Sequence, residues 1–510
     1  MNGNAADWFV DRHVNEGRSG KTAFREAWPE GRKLSFADLA DQSGKVAAAL
    51  GKVGIQREER AAMFVLDQIE FPSIFWGGLK SGVLPVALNT LLSTDVYRAI
   101  LDDSRAAIAF VSAELLDVVL PAIKNCPHVR QTVVIGGDAP AGTIGWDEFM
   151  HGAVAQTPII CAGDEVAFWL YSSGSTGTPK GVRHVHDALR VTCDTYAKQV
   201  LGIQTDDIIF SAAKLFFAYG LGNGMTFPLS VGATALLYNK RPTPDSVSTI
   251  LDTCKPTIFC GVPTLYAALL HSWGTQEKTP DAPLRICISA GEALPAEIGR
   301  QWKSLCHVDI MDGVGSTEML HIFLSNSQDD IEYGTSGVAV PGYELRLVDE
   351  SGDEVEEGAI GELLVRGDSA AADYWNQRAK SRATFEGQWT RTGDKYEKGK
   401  AGRLIYCGRT DDMFKVSGIW VSPFEIEQAL MMHADVLEAA VVARRDEDNL
   451  EKPQAFVVLK NDGSTIDTGA LQEFVKQQIG KWKYPRWIDV VEELPKTATG
   501  KIQRFRLRES

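Results

Sequence analysis

The segment YSSGSTGTPKG, Tyr171 to Gly181, decides how this chain is read. It has the glycines, hydroxyls and lysine of a phosphate-holding loop, yet it departs from the commonest one. A Walker loop needs glycine immediately before its lysine and a metal-binding hydroxyl after it; here Pro179 precedes Lys180 and Gly181 follows it. The segment is entered from an apolar run, DEVAFWLYSS (164 to 173), with the texture of a buried strand. Backbone N–H groups and hydroxyls in such a loop can wrap phosphate oxygens, while proline and glycine stiffen and open the exit. Composition alone equally fits a Gly/Ser surface linker, so the segment has to be weighed with its surroundings.

Working outward, short apolar runs alternate with helical spacing. RAAMFVLD (60 to 67), AAIAFVS (106 to 112) and QTVVIGG (131 to 137) read as strands, and SFADLADQSGKVAAALGKVG (35 to 54) as an amphipathic helix. The same alternation returns in GATALLY, PTIFCGVP and LRICISAGEA, so the chain is expected to be α/β, with two parallel-rich, helix-covered sheets. From about residue 334 the texture becomes β-type alternation with Gly and Asp turns, YELRLVDESGDEVEEGAIGELLVRG, which predicts a small β unit. After the polar GRTDDMFKVSG, the runs PFEIEQAL, AAVVARR and QAFVVLK and a helix near residue 470 predict a small C-terminal α+β domain. A length of 510 residues requires this division, because single cores stop growing at roughly 250 to 300 residues.

A composition of 44% hydrophobic and 23% charged residues is that of a globular protein. The net charge of -15 argues against nucleic acid as a partner, since phosphate backbones are gripped by clustered Lys and Arg. No window approaches a membrane span, and the opening MNGNAADWFVDRHV lacks the basic start and apolar core of a secretory signal. A cytoplasmic location without membrane partners is the expectation. The eight cysteines have no metal or disulfide spacing and read as buried reduced thiols.

The loop finds company in VGSTE (314 to 318), TGD (392 to 394), GRTDD (408 to 412) and PKTATGKIQR (495 to 504). In this order the five segments resemble the motif series of the adenylate-forming superfamily of acyl-CoA ligases, luciferases and peptide-synthetase adenylation domains. The resemblance spans nearly the whole chain. Within it, SAAKLFFAYGLGN, SAGEALPAEIG, GSTEMLHIF and KVSGIWVSPFEIEQAL are most similar to benzoate and hydroxybenzoate CoA ligases.

The resemblance implies a larger domain over residues 1–409 and a mobile C-terminal domain over 411–510, with a hinge at Asp411. It implies ATP, Mg²⁺ and coenzyme A as co-substrates and cofactor, a small aromatic carboxylic acid as substrate, and a monomer or homodimer in aromatic-acid degradation. By this resemblance Ser172, Ser173, Gly174, Ser175, Thr176, Gly177 and Lys180 hold the β and γ phosphates, Thr317 contacts phosphate, and Glu318 holds the metal. Gly291, Glu292 and Ala293, with Asp312 and Gly313, flank the adenine; Asp394 binds the ribose hydroxyls and Arg409 the ribose or phosphate. Lys501 bridges the attacking carboxylate and the α-phosphate, and Gly418 leaves room for the pantetheine arm.

Peptide-synthetase relatives place an aspartate where this chain has FFAYG, so an amino-acid substrate is not expected. The resemblance places Phe217, Ala218, Tyr219, Gly315, His321 and Ile322 around an aryl ring and Lys415 on the carboxylate side. Without it, aromatic and small residues near a strand end read as plain core. The alternatives are a medium-chain or alicyclic acyl-CoA ligase, a non-catalytic nucleotide or acyl-CoA binding module, and a luciferase-like oxygenase.

Overall fold

A computed structural model describes residues 3–28, 30–173, 179–276, 280–416, 419–447, 450–460, 466–480, 483–496 and 502–508. Among these, two large sheets carry most of the chain. The first orders eight strands as 373–374, 179–185, 166–173, 84–87, 60–64, 108–112, 131–135 and 144–145. It is parallel from 166–173 onward and antiparallel at the end that contains 179–185. The second orders nine strands as 338–339, 322–325, 310–315, 286–290, 258–261, 208–211, 234–237, 22–26 and 33–35, parallel from 310–315 through 22–26.

The predicted runs at 60, 106, 131, 164, 232, 256 and 284 all lie in these sheets. Their near-continuous burial follows from helices covering both faces. The predicted amphipathic helix is Phe36–Lys52. It starts at a capping box in which Ser35 Oγ accepts the Asp38 N–H and the Asp38 carboxylate accepts the Ser35 N–H. Phe36 and Leu39 from this helix, Ile74, Phe75 and Trp76 from Glu70–Ser81, Phe168 from one sheet and Ile209 and Ile288 from the other share one apolar core.

The predicted β unit is an antiparallel five-stranded sheet of 344–348, 360–366, 385–386, 389–398 and 404–409. Beyond it, Phe414, Val421, Ile426, Leu430, Val441, Val457, Leu471 and Val475 form a separate apolar cluster. The cluster is built on the helices Pro423–Met431 and Thr468–Ile479 and the three strands Val436–Arg445, Glu451–Leu459 and Trp487–Val490. Two cysteines depart from the expectation of burial: Cys161 and Cys306 are half-buried, while the other six are buried, and all eight are free thiols. Among the described residues no helix is long and apolar enough to cross a membrane.

Candidate active site

The segment Tyr171 to Gly181 joins two antiparallel neighbours, Val166–Ser173 and Pro179–Val185, with Ser172 opposite Lys180 and Ser173 opposite Pro179. A strand therefore follows the loop where a Walker loop has a helix. Any grip on phosphate would come from loop amides, hydroxyls and Lys180 rather than from a helix N-terminus. Gly174, Ser175, Thr176, Gly177 and the side chain of Ser173 lie outside the described residues. The Ser172 hydroxyl is buried with no hydrogen-bond partner among the described residues.

Lys180 places its ammonium 4.5 Å from the ring centroid of Tyr374. Burial lowers its pKa, partly offset by the attraction of Glu318. The Tyr374 hydroxyl donates to Glu318 Oε1 at 2.7 Å. Lys180 and Glu318, 138 positions apart in sequence, are thus brought to one aromatic side chain. Glu318 sits in the turn after Ile310–Gly315, where the Leu320 N–H donates to Thr317 O at 3.2 Å and Leu320 takes a φ of 65°. Its second carboxylate oxygen suits a hard divalent cation, which takes one or two carboxylates together with phosphate oxygens and water.

Asp394 and Arg409 face one another across the antiparallel strands Trp389–Lys398 and Leu404–Arg409, with Arg409 Nη1 donating to Asp394 Oδ1 and to Thr392 O, both at 3.1 Å. Gly291, with a φ of 98°, begins the turn after strand Ile286–Ala290, and Glu292 follows it. In the neighbouring strand Asp312 is buried, and its Oδ1 has no hydrogen-bond partner among the described residues. Burial pushes its carboxyl up to about 8.

Loops at the carboxyl ends of both sheets carry the residues expected around the acid. The buried Asp67, after strand Arg60–Phe64, accepts the Leu215 N–H at 3.2 and 3.3 Å, and Lys214 donates to Lys240 O at 2.7 Å. These bonds fix the start of the segment carrying Phe217, Ala218 and Tyr219. The Tyr219 hydroxyl lies 3.1 Å from both Gly261 O and Ile288 O, which pins the ring at the ends of two strands. His321 is buried, with Nε2 3.3 Å from Tyr219 O and its ring 4.3 Å from Phe227, 5.6 Å from Tyr196 and 5.9 Å from Tyr219. Burial lowers its pKa to about 3, so it is neutral near pH 7.

Three glycines permit this packing. A Cβ on Gly222 would stand 2.3 Å from His321 Cδ2, one on Gly313 2.6 Å from Ile322 Cδ1, and one on Gly315 2.6 Å from His321 O.

The Ile502 N–H donates to Glu292 Oε1 at 3.1 Å, which brings the residue after Lys501 to the site formed by the larger part of the chain. Lys501 and Gly418 lie outside the described residues, as does the side chain of Lys415. Asp411 is exposed in a turn, and its carbonyl lies 3.4 Å from Arg508 Nη2. Sequence reasoning missed Tyr374, Asn223 and Phe227. Tyr374 carries no local signal, because only the pairing of Asp373–Tyr374 with Pro179–Val185 brings it to the site. Asn223, whose Nδ2 donates to Tyr219 O at 3.0 Å, and Phe227 carry no local signal of a role beside His321.

An α/β chain with a hydroxyl-rich loop segment, a carboxylate near its lysine and a carboxylate–arginine pair whose arginine acts electrostatically on that lysine is compatible with an enzyme that activates a substrate on a nucleotide. Residues 10–375 match the family of AMP-binding enzymes and residues 425–501 match the AMP-binding enzyme C-terminal domain. The chain belongs to the AMP-binding enzyme family. It is 52% identical over 515 residues to a 4-hydroxybenzoate–CoA/benzoate–CoA ligase of Rhodopseudomonas palustris, covering 99% of this chain and 94% of the relative. It is 49% identical over 519 residues to a benzoate–CoA ligase of Thauera aromatica, covering 99% and 95%. Among solved structures, a benzoate CoA ligase from Burkholderia xenovorans matches with a TM-score of 0.90 and 45% identity over 100% of both chains. An anthranilate CoA ligase in complex with anthranoyl-AMP matches with a TM-score of 0.95 and 39% identity, covering 99% of this chain and 96% of the other.

Proposed function

We propose that this chain is an AMP-forming aryl-CoA ligase acting on benzoate or a hydroxybenzoate, 4-hydroxybenzoate included. In the first half-reaction a carboxylate oxygen of the acid bonds to the α-phosphorus of ATP while the bond to the bridging oxygen breaks, giving acyl-AMP and pyrophosphate. In the second, the sulfur of coenzyme A attacks the acyl carbon, AMP leaves, and the thiol proton passes to solvent. Free carboxylate resists a thiol because its charge repels the nucleophile and it offers no competent leaving group. Joining it to AMP removes both obstacles.

The chain's part is to position these groups and to offset charge as it develops. Loop residues 172–177 and Lys180 hold the phosphates that depart. Thr317 contacts phosphate, and Glu318 would hold Mg²⁺, which neutralises charge on the phosphates. Asp394 accepts from the ribose hydroxyls, with Arg409 holding its other side. The buried Oδ1 of Asp312, without a hydrogen-bond partner among the described residues, suits a donor such as the exocyclic amine of adenine. Lys501 bridges the two anions that must meet. A turn of the small domain about Asp411 then withdraws Lys501 and brings the loop of Gly418 to the thiol path, with domain limits of 1–409 and 411–510.

What supports an aromatic acid is the packing of Tyr219 and His321. Tyr219, pinned through its hydroxyl, and the neutral His321 present rigid aromatic faces beside Ile322 and Gly315. Such walls suit a flat ring better than a flexible chain. Lys415 serves the carboxylate. The test is acid-dependent pyrophosphate exchange across benzoate, its three monohydroxy derivatives, aminobenzoates, cyclohexanecarboxylate and octanoate. Benzoate or a hydroxybenzoate should give the highest kcat/KM, and a preference for octanoate over every aromatic acid would overturn the reading.

A further inference from the structure

Tyr374 takes no part in the scheme above, yet it touches two of its members. Its hydroxyl donates to Glu318 Oε1 at 2.7 Å, and the ammonium of Lys180 lies 4.5 Å from the centre of its ring.

The segment around it is tied to both phosphate-handling elements. On the Glu318 side, Ser369 Oγ donates to Met319 O at 2.8 Å and the Ala371 N–H to Glu318 O at 2.7 Å. On the Lys180 side, the Ala372 N–H donates to Arg183 O and the Trp375 N–H to Gly181 O, both at 2.8 Å, and Tyr374 lies in register with Val182. Arg183 grips Asp373 through two bonds of 2.6 Å. Residues 369–375 therefore form a strap between the turn of Glu318 and the strand of Lys180. Tyr374 is the residue of the strap whose side chain meets both functional groups.

We infer that Tyr374 is a positioning residue for ATP activation, orienting the Glu318 carboxylate so that its free oxygen faces the metal on the phosphates while its ring seats Lys180. This rests on the reading of Glu318 as the metal carboxylate. A carboxylate with one oxygen committed to a phenol presents the other in a fixed direction. Without that bond the side chain is free to turn among rotamers, and it loses affinity for a cation that demands near-octahedral geometry. A hydrogen bond to a charged group is worth enough for about a tenfold effect.

The test is equilibrium binding of a fluorescent ATP analogue to wild type, Tyr374→Phe, Tyr374→Leu, Glu318→Gln and the double variant Glu318→Gln/Tyr374→Phe, each with Mg²⁺ and with EDTA. Thermal unfolding of each variant serves as the folding control. Glu318→Gln should lose most of the Mg²⁺-dependent gain in affinity. Tyr374→Phe should lose about tenfold of that gain with its EDTA affinity within twofold of wild type, and the double variant should be no weaker than Glu318→Gln alone. Tyr374→Leu, which also removes the ring from Lys180, should bind more weakly in EDTA as well. A wild-type Mg²⁺ gain in Tyr374→Phe, or an equal loss with and without Mg²⁺, overturns the inference. If Glu318→Gln keeps the full Mg²⁺ gain, the reading of Glu318 fails first and the role of Tyr374 with it.

Discussion

Replacing Gly222 by alanine tests whether His321 is a wall of the acid slot or only core. The new methyl would stand 2.3 Å from His321 Cδ2, 2.5 Å from Nε2 and 3.1 Å from Phe227 Cζ. Ordinary contact begins near 3.4 Å, so the imidazole must shift by roughly 1 Å. It has little freedom to do so, with Phe227, Tyr196 and Tyr219 around it and Gly315 beneath its carbonyl. Overpacking of this kind costs about 1 to 3 kcal/mol, which corresponds to about 5- to 150-fold in an equilibrium or rate ratio. If His321 faces the acid, part of that cost falls on acid recognition. In pyrophosphate exchange, kcat/KM for benzoate should drop about tenfold or more while KM for ATP moves less than about twofold. Thermal unfolding of the same variant measures the share borne by the fold. A variant with lowered thermal stability but wild-type kcat/KM for benzoate and 4-hydroxybenzoate would return His321 to the core and refute the slot as drawn.

Asp394→Ala should raise KM for ATP at least tenfold by removing the acceptor of the ribose hydroxyls and the partner of Arg409, bonded at 3.1 Å; a rise below threefold in steady-state kinetics contradicts the role. Lys501→Ala should abolish acyl-AMP formation yet still form thioester from supplied acyl-AMP, and equal loss of both in separate half-reaction assays contradicts the bridging role. Stability should rise with pH below neutrality. Burial lowers the pKa of His13, His184, His186 and His321 to about 4, 3, 4 and 3, so their contribution is full above pH 6.5 and is lost as pH falls from there through these folded values. Asp67 and Asp312, raised to about 6 and about 8, act in the opposite sense: their contribution is present below pH 3.8 and is lost as pH rises through those values. Between pH 4.5 and 6 the unfolded chain holds four histidine protons and the native chain two carboxyl protons. The difference of two gives a slope of at most about 2.7 kcal/mol per pH unit. Urea titrations should show stability climbing to a maximum near pH 7, and a flat profile would show that these groups are not held as described.

The strands and the main amphipathic helix were legible because parallel sheets covered on both faces leave continuous apolar runs such as AAIAFVS, and because Ser35 and Asp38 mark a helix start. Glu318, Asp394 and Arg409 were expected to carry chemistry from the motifs that hold them, and the cross-strand pairing of Asp394 with Arg409 gives two of them a shared geometry. Tyr374 was not. Its place depends on register between strands some 190 positions apart, and no local period encodes such a pairing. The strand after the phosphate-like loop was also hidden, since PKGVRHV has polar and apolar residues in no clean alternation. Asn223 and Phe227 enter the site only because the helical segment after Phe217 turns them toward His321.

The most direct measurement is the nucleotide balance of a single reaction with benzoate, ATP, Mg²⁺ and coenzyme A, followed by chromatography of nucleotides, pyrophosphate and thioester. One AMP and one pyrophosphate should appear for each benzoyl-CoA formed, with acyl-AMP accumulating when coenzyme A is withheld. Formation of ADP and orthophosphate in place of AMP, or thioester without AMP, would contradict the account.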